Sequence, residues 1–181
     1  RREVLGRVGI HAQRPRGLCV AGLFEQVAQA SNHGDLIVRG GLGELGVELG
    51  GDELRRTILP EIATGQRIAA FAATESEAGS DLTAIRTTGT LIDSGIRLDG
   101  EKAYVTNGGF AGCYTVLCRT PGVGGARAHS LVFVPRETAG VRIGLEEDKL
   151  GIRGSSTVTV SFEGSVVPRT MILGEPGRGI D

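Results

Sequence analysis

Apolar positions along this chain change their period near residue 68. Upstream they recur at helical spacing. From Leu18, the residues Val20, Leu23, Phe24, Val27 and Ala30 form one stripe, and Asn32-His33-Gly34 is a plausible C-terminal stop. Residues 1 to about 17 read as a short helix and a loop around Arg14-Pro15-Arg16. Asp35 can cap a second helix through Leu36, Ile37, Leu42, Leu45 and Leu49. Gly40, Gly41, Gly43 and Gly46 weaken that helix by up to about 1 kcal/mol each against Ala. Asp52 caps a third, short helix with Leu54, Ile58 and Leu59 on its apolar face; Pro60 opens a further turn and Gly65 ends it.

Beyond residue 68 the pattern becomes strand-like. The run Ile68–Ala73 ends in a polar loop, and Thr87–Ile92 then alternates and is β-branched. Asp93-Ser94-Gly95 is a turn, and Ile96–Gly100 returns as a partner strand. Further strands are expected at Lys102–Thr106, Tyr114–Cys118, Ser130–Val134, Val141–Ile143, Val158–Phe162 and Met171–Leu173. Turn clusters at Asn107-Gly108-Gly109, Pro121–Gly125 and Glu163-Gly164-Ser165 separate most of them. Short strands so spaced suggest an antiparallel barrel or sandwich. The fold class is α+β, with a partial helical domain over 1–67 and an all-β domain over 68–181.

Composition narrows the function classes. The chain has 181 residues, 40% hydrophobic and 23% charged, as in an ordinary globular protein. A formal net charge of -1 offers no global attraction for nucleic acid or an anionic membrane. No apolar run approaches the roughly 20 residues of a transmembrane helix, and the start lacks the apolar core of a signal peptide. Three scattered cysteines (Cys19, Cys113, Cys118) argue for a reducing, cytoplasmic setting without a disulfide framework. His11, His33 and His129 have no metal-ligand spacing, so no metal is expected. The first residue is not Met and the last are Gly179-Ile180-Asp181, so both ends read as cut.

One motif is a decoy. Gly41-Leu42-Gly43-Glu44-Leu45-Gly46 matches the dinucleotide fingerprint literally, but that fingerprint needs a strand before it and a helix after it. Here both flanks read as helix.

The chemistry-bearing stretch is Phe71–Asp81. An apolar approach stops abruptly in a loop carrying hydroxyls at Thr74, Ser76 and Ser80, with Gly79 freeing the backbone. A second polar cluster lies at Tyr104-Val105-Thr106-Asn107. Taken singly these residues have plain structural readings. Thr74 and Thr106 suit any strand, Tyr104 suits a half-buried sheet position, and Ser80-Asp81 suits a cap or an Asx turn.

Four blocks in register change that reading. They are Leu59-Pro60-Glu61-Ile62-Ala63-Thr64-Gly65, Thr74-Glu75-Ser76-Glu77-Ala78-Gly79-Ser80-Asp81, Gly100–Gly108 and Lys149–Thr157, the last continuing through Phe162-Glu163, Val167-Pro168 and Leu173-Gly174. In order and spacing the sequence resembles the acyl-CoA dehydrogenase family. That family has an N-terminal helical domain, a middle β-barrel domain and a C-terminal helical bundle. This chain is similar to the end of the first and all of the second, without the third.

The resemblance implies FAD as cofactor and an acyl-CoA as substrate. It places Phe71, Ala73, Thr74 and Gly79 along the flavin path. Tyr104 stands where the family usually has Trp and would pack on the ring, followed by Val105 and by Thr106 near the flavin N5. Ser80 resembles the serine between flavin phosphate and substrate, and Ser156 and Thr157 lie in a stretch similar to one near the CoA moiety. Ser76 and Glu77 depart from the family's Pro and small residue, and Glu163-Gly164 from its Glu-Asp pair. The family's catalytic carboxylate lies in the C-terminal bundle. No catalytic residue is therefore assigned here, and Glu75 and Asp81 are expected to be structural.

The implied activity is α,β-desaturation of an acyl-CoA with electrons passed to an electron-transfer flavoprotein, in a protein that is a tetramer or dimer when full length. Two alternatives stay open: a flavin oxidase or monooxygenase on the same scaffold, and a catalytically inactive truncated module. The 181 residues alone are expected to be inactive and to bind FAD weakly.

Overall fold

A computed structural model describes residues 50–63, 65–123 and 128–180. The helices expected before residue 50, the Gly41–Gly46 motif and most of the proposed helical domain lie outside the described residues.

The first element is helix α1, Asp52–Ala63. Leu54, Ile58 and Ile62 repeat every four residues, and Leu54 and Ile62 are fully buried. Pro60 does not open a new turn; it sits inside a continuous helix. Its missing N–H forfeits one intrahelical bond, but burial of Ile62 one half-turn later holds the helix together. Gly65, at φ 75°, ends it as expected, its amide donating to the Ile62 carbonyl at 3.1 Å.

Eight strands follow: β1 (Ala69–Ala72), β2 (Thr88–Ile92), β3 (Gly95–Thr106), β4 (Cys113–Arg119), β5 (His129–Pro135), β6 (Val141–Glu146), β7 (Thr157–Val167) and β8 (Ile172–Leu173). The two runs expected at 96–100 and 102–106 are one strand. Gly100 carries it through, because a Cβ there would lie 2.7 Å from the Thr87 Cα. A bulge between Lys102 and Val105 then shifts its register against β7.

The strands form one sheet in the order β6-β7-β3-β2-β4-β5-β8, with β1 paired to β4. The helix-then-sheet class holds, with two refinements. The sheet is mixed, since β1 and β2 both pair with β4 in parallel. The barrel is also not closed: among the described residues no ladder joins β6 to β8. β8 is only two residues long and β6 is mostly exposed, so neither edge offers a ladder for closure.

The sheet still curls. Val158, Val160 and Phe162 of β7 share one core with Val132 and Val134 of β5, four strands away. β4 and β5 are buried on both faces. Tyr114, Val116 and Cys118 point into that core, while Cys113, Leu117, Leu131 and Phe133 meet Leu54 and Ile62 on the outer face. This double burial explains the unbroken apolar runs of these two strands, and it fixes the sheet end from which the polar loops emerge.

Candidate functional site

The loop after β1 begins as a tight turn. The amide of Glu75 donates to the Ala78 carbonyl at 2.8 Å and the Ala78 amide returns to the Glu75 carbonyl at 3.2 Å. Ser76 and Glu77 are thereby placed at an exposed tip, so the charge of Glu77 points outward. Asp81 Oδ1 accepts from the Thr83 amide at 3.0 Å and from Thr83 Oγ1 at 2.6 Å. Asp81 thus caps the short 3-10 turn Leu82–Ala84, the structural work expected of it. Gly79 and Ser80 beside it are exposed.

The turn is held from beneath by a buried ion pair. Lys102 Nζ lies 2.9 Å from Glu75 Oε1 and donates to the Ala73 carbonyl at 2.9 Å. Glu75 also accepts from the Arg86 amide at 2.7 Å and the Thr87 amide at 2.9 Å. Lys102 is fully buried and Glu75 nearly so. Burial pushes the Glu75 carboxyl up, but the donors from Lys102, Thr87 and Arg86 outweigh it and hold the group at about 2. Burial draws the Lys102 ammonium down, against the pull of Glu75.

Glu75 therefore ionises more readily folded than unfolded. Between its ordinary value of 4.5 and about 2, the unfolded chain binds a proton that the folded chain does not. Stability contributed by Glu75 is present above pH 4.5 and lost as pH falls towards 2, amounting to roughly 3 kcal/mol at most. Urea midpoints should fall between pH 6 and pH 3, and should fall less in Glu75→Gln; equal slopes in the two proteins would count against this origin.

Beyond Lys102 the bulge reshapes β3. The Ala103 amide donates to the Thr74 carbonyl at 2.9 Å, which places the start of the loop beside the bulge. Tyr104 has φ 55° and is 61% exposed. It is a protruding bulge residue rather than a half-buried sheet aromatic, held in a conformation that costs a non-glycine residue about 1–3 kcal/mol. Val105 returns to the core, so its side chain is unavailable to a ligand. Thr106 is exposed and faces Thr157 of β7 in register.

The β7 side is tightly bonded. Ser156 is buried; its Oγ accepts from the Gly109 amide at 3.0 Å and donates to Glu146 Oε1 at 2.6 Å. The Asn107 amide donates to the Ser156 carbonyl at 2.9 Å. Thr157 Oγ1 accepts from Lys149 Nζ at 2.8 Å, and Lys149 also reaches the Ser155 carbonyl. Glu146 Oε2 accepts from the Thr157 amide at 2.9 Å, and these bonds from Ser156 and Thr157 lower the Glu146 carboxyl.

Thr74, Tyr104, Thr106, Ser156 and Thr157 thus follow one rim of the sheet, linked by the bonds and register just described. Among the described residues, Gly79 and Ser80 make no hydrogen bond to that rim. Phe71 and Ala73 pack instead on the outer core, towards α1. Among the described residues, the hydroxyls of Thr74, Ser80 and Thr106 make no hydrogen bond, whereas those of Ser156 and Thr157 are committed. Two open grooves flank Phe110. One, of about 780 Å³, is lined by Arg67, Ile68, Gly112, Arg136 and Glu137 among others. The other, of about 310 Å³, runs along the loop from Glu146 to Ser156.

Sequence reasoning missed Lys102 and Glu146. Lys102 carried a signal: it shares inward parity with Ile96 and Leu98 in β3, and an inward lysine demands a buried partner. Glu146 carried none, since its partners lie ten and eleven residues away across a loop. Burial pushes the thiols of Cys113 and Cys118 up to about 12, so neither is a nucleophile. Among the described residues there is no metal-ligating cluster, and no helix is long and apolar enough to cross a membrane.

The sequence family described as acyl-CoA dehydrogenase, middle domain, matches residues 70–165, and the chain belongs to the acyl-CoA dehydrogenase family. The probable acyl-CoA dehydrogenase FadE25 of Mycobacterium tuberculosis is 37% identical over 159 residues, covering 87% of this chain and 41% of that protein. The crystal structure of an acyl-CoA dehydrogenase complexed with FAD from Bacillus anthracis superposes with a TM-score of 0.70 at 37% identity, over 75% of this chain and 23% of that one. A structure described as an electron transferring flavoprotein of Acidaminococcus fermentans gives 0.75 at 33% identity, over 80% and 38%. The chain spans about 41% of the length of the FadE25 relative it matches.

Proposed function

We propose that these residues form part of an FAD-dependent acyl-CoA dehydrogenase that desaturates an acyl-CoA between its α and β carbons and passes the electrons to an electron-transfer flavoprotein. The observation that carries this is the rim itself. An exposed aromatic at Tyr104 and uncommitted hydroxyls at Thr74 and Thr106 come from two separate motif blocks that the Ala103 amide–Thr74 carbonyl bond joins. A flat ring with a polar edge needs an aromatic surface on one side and hydrogen-bond donors along the edge. The residues present fit FAD on that ground.

When bound, FAD supplies the acceptor for the β hydride. Tyr104 would pack against its ring, the Thr74 and Thr106 hydroxyls would bond its edge, and the Val105 backbone would separate Tyr104 from Thr106. Gly79 would lie on the loop side of the approach, while Phe71 and Ala73 anchor the strand that carries the loop on the outer core. Ser80 offers a free hydroxyl to a phosphate or to the CoA. Ser156 would serve the substrate side by holding the 107–109 turn, and Thr157 by holding Lys149, since their hydroxyls are engaged.

Removal of the α proton needs a carboxylate free to accept it. Glu75 is locked by three donors, Asp81 caps a turn and Glu146 is bonded to Ser156 and Thr157. We assign the base to none of them and place it in a C-terminal helical bundle like the one in which the family carries it. The division into a helical part over 1–67 and a β domain over 68–181, a cytoplasmic setting and a homo-oligomeric assembly complete the proposal.

The test takes the protein of the whole reading frame, loaded with FAD, and adds acyl-CoA under air. Bleaching of the visible flavin band that persists until an electron-transfer flavoprotein is added supports the dehydrogenase. Rapid peroxide formation supports an oxidase, and an unchanged spectrum with a range of acyl-CoA lengths sinks both.

A further inference from the structure

The two motif blocks reach the rim from stretches of chain 27 residues apart, and one buried joint connects them. The side chain of Lys102 holds the last two anchor points before and within the loop, the Ala73 carbonyl and the Glu75 carboxylate. Its backbone opens the bulge on which Tyr104 stands. Between them the Ala103 amide bonds the Thr74 carbonyl. Glu75 extends the joint to the chain entering β2 through the Arg86 and Thr87 amides.

A rotation of either partner therefore changes the separation of Thr74 and Tyr104. Among the described residues no second carboxylate or cation is bonded to the pair: its neighbours supply backbone carbonyls and amides, with the Thr87 hydroxyl and the Cys118 thiol beside them. Tyr104 itself is in a strained conformation that persists only when the surroundings over-determine it. Lys102 and Glu75 are buried beneath the rim and line neither of the two grooves beside Phe110.

We propose that the Lys102–Glu75 pair is a positioning device that fixes where the Thr74 hydroxyl and the Tyr104 ring stand relative to one another, as a bound flavin requires. This rests on the flavin reading of the site given above. It differs from simple bracing, which any folded replacement would satisfy.

The experiment titrates the full chain with FAD and follows flavin fluorescence, which an adjacent tyrosine ring quenches. Three variants are compared with the wild type: Glu75→Asp, which keeps the charge and withdraws the carboxylate by one methylene, the neutral pair Glu75→Gln/Lys102→Met, and Tyr104→Leu as the reference for lost quenching. Circular dichroism and urea midpoints establish which are folded. The expected result is FAD binding weaker by about 10-fold in folded Glu75→Asp, with quenching reduced towards that of Tyr104→Leu. Wild-type affinity and quenching in Glu75→Asp or in the neutral pair overturn the inference while leaving the flavin reading intact. Absence of FAD uptake by the wild type overturns both.

A measurement on the wild type alone decides the matter if the variants do not fold. Amide exchange at Thr87 and Ala103 should slow about 10-fold when FAD is added, because the joint and the ring then order one another. Unchanged exchange at both amides with FAD bound overturns the inference.

Discussion

Lys102→Met should destabilise the protein by about 3–5 kcal/mol, one of the two largest single-residue effects expected in the sheet. The substitution preserves most of the side-chain volume, so lost packing contributes little. What remains is a buried carboxylate at Glu75 whose cation is gone, with only the Arg86 and Thr87 amides to solvate it. The Ala73 carbonyl also loses its donor. Adding Glu75→Gln to Lys102→Met should recover much of the loss, because a neutral amide tolerates burial where an unpaired anion does not. Urea unfolding of the four proteins of this cycle gives the coupling directly. A loss below about 1 kcal/mol in Lys102→Met would place the pair among those exposed ion pairs that contribute little.

Phe133→Ala should cost about 3–5 kcal/mol by a different route. Phe133 is 1% exposed and lies on the outer face of β5 among Leu54, Ile62, Cys113 and Leu117. Its removal leaves a cavity between a sheet and a helix, neither of which can collapse inward, since β4 and β5 are also packed on their other face. The midpoint of urea unfolding should drop with the slope unchanged. A change within about 1 kcal/mol would mean that α1 closes over the gap. Taken together the two substitutions should be nearly additive, since Phe133 and Lys102 share no bonding partner.

Much of the β domain was legible in the sequence because its strands carry their burial pattern locally. Val158, Val160 and Phe162 alternate with exposed or half-buried neighbours, and β7 was read from them. Strand pairing is not local. Nothing within Ala69–Ala72 announces that it will lie parallel to β4, a pairing between strands separated in the chain by β2 and β3. The merging of two expected strands into β3 was hidden for a similar reason. Gly100 closes the first of the two expected strands, yet here it admits the close approach of Thr87 and the strand runs on.

The rim was legible through the spacing of its motif blocks. The behaviour of its side chains was not. Ser156 and Ser80 look alike in sequence, but one is bonded to Glu146 and Gly109 and the other is exposed. Tyr104 suited an ordinary sheet position until the bulge turned it outward. The helical half of the reading concerns residues mostly outside the described ones, and only α1 was available to compare.

The double burial of β4 and β5 bears on how this domain can be handled. The family match begins at residue 70, which invites trimming the chain there. Such a cut would remove α1 and leave Cys113, Leu117, Leu131 and Phe133 facing water as one apolar stripe. The trimmed polypeptide should self-associate through that stripe and expose a thiol that is otherwise inert. Preparations meant to isolate the sheet should therefore retain the helix beginning at Asp52.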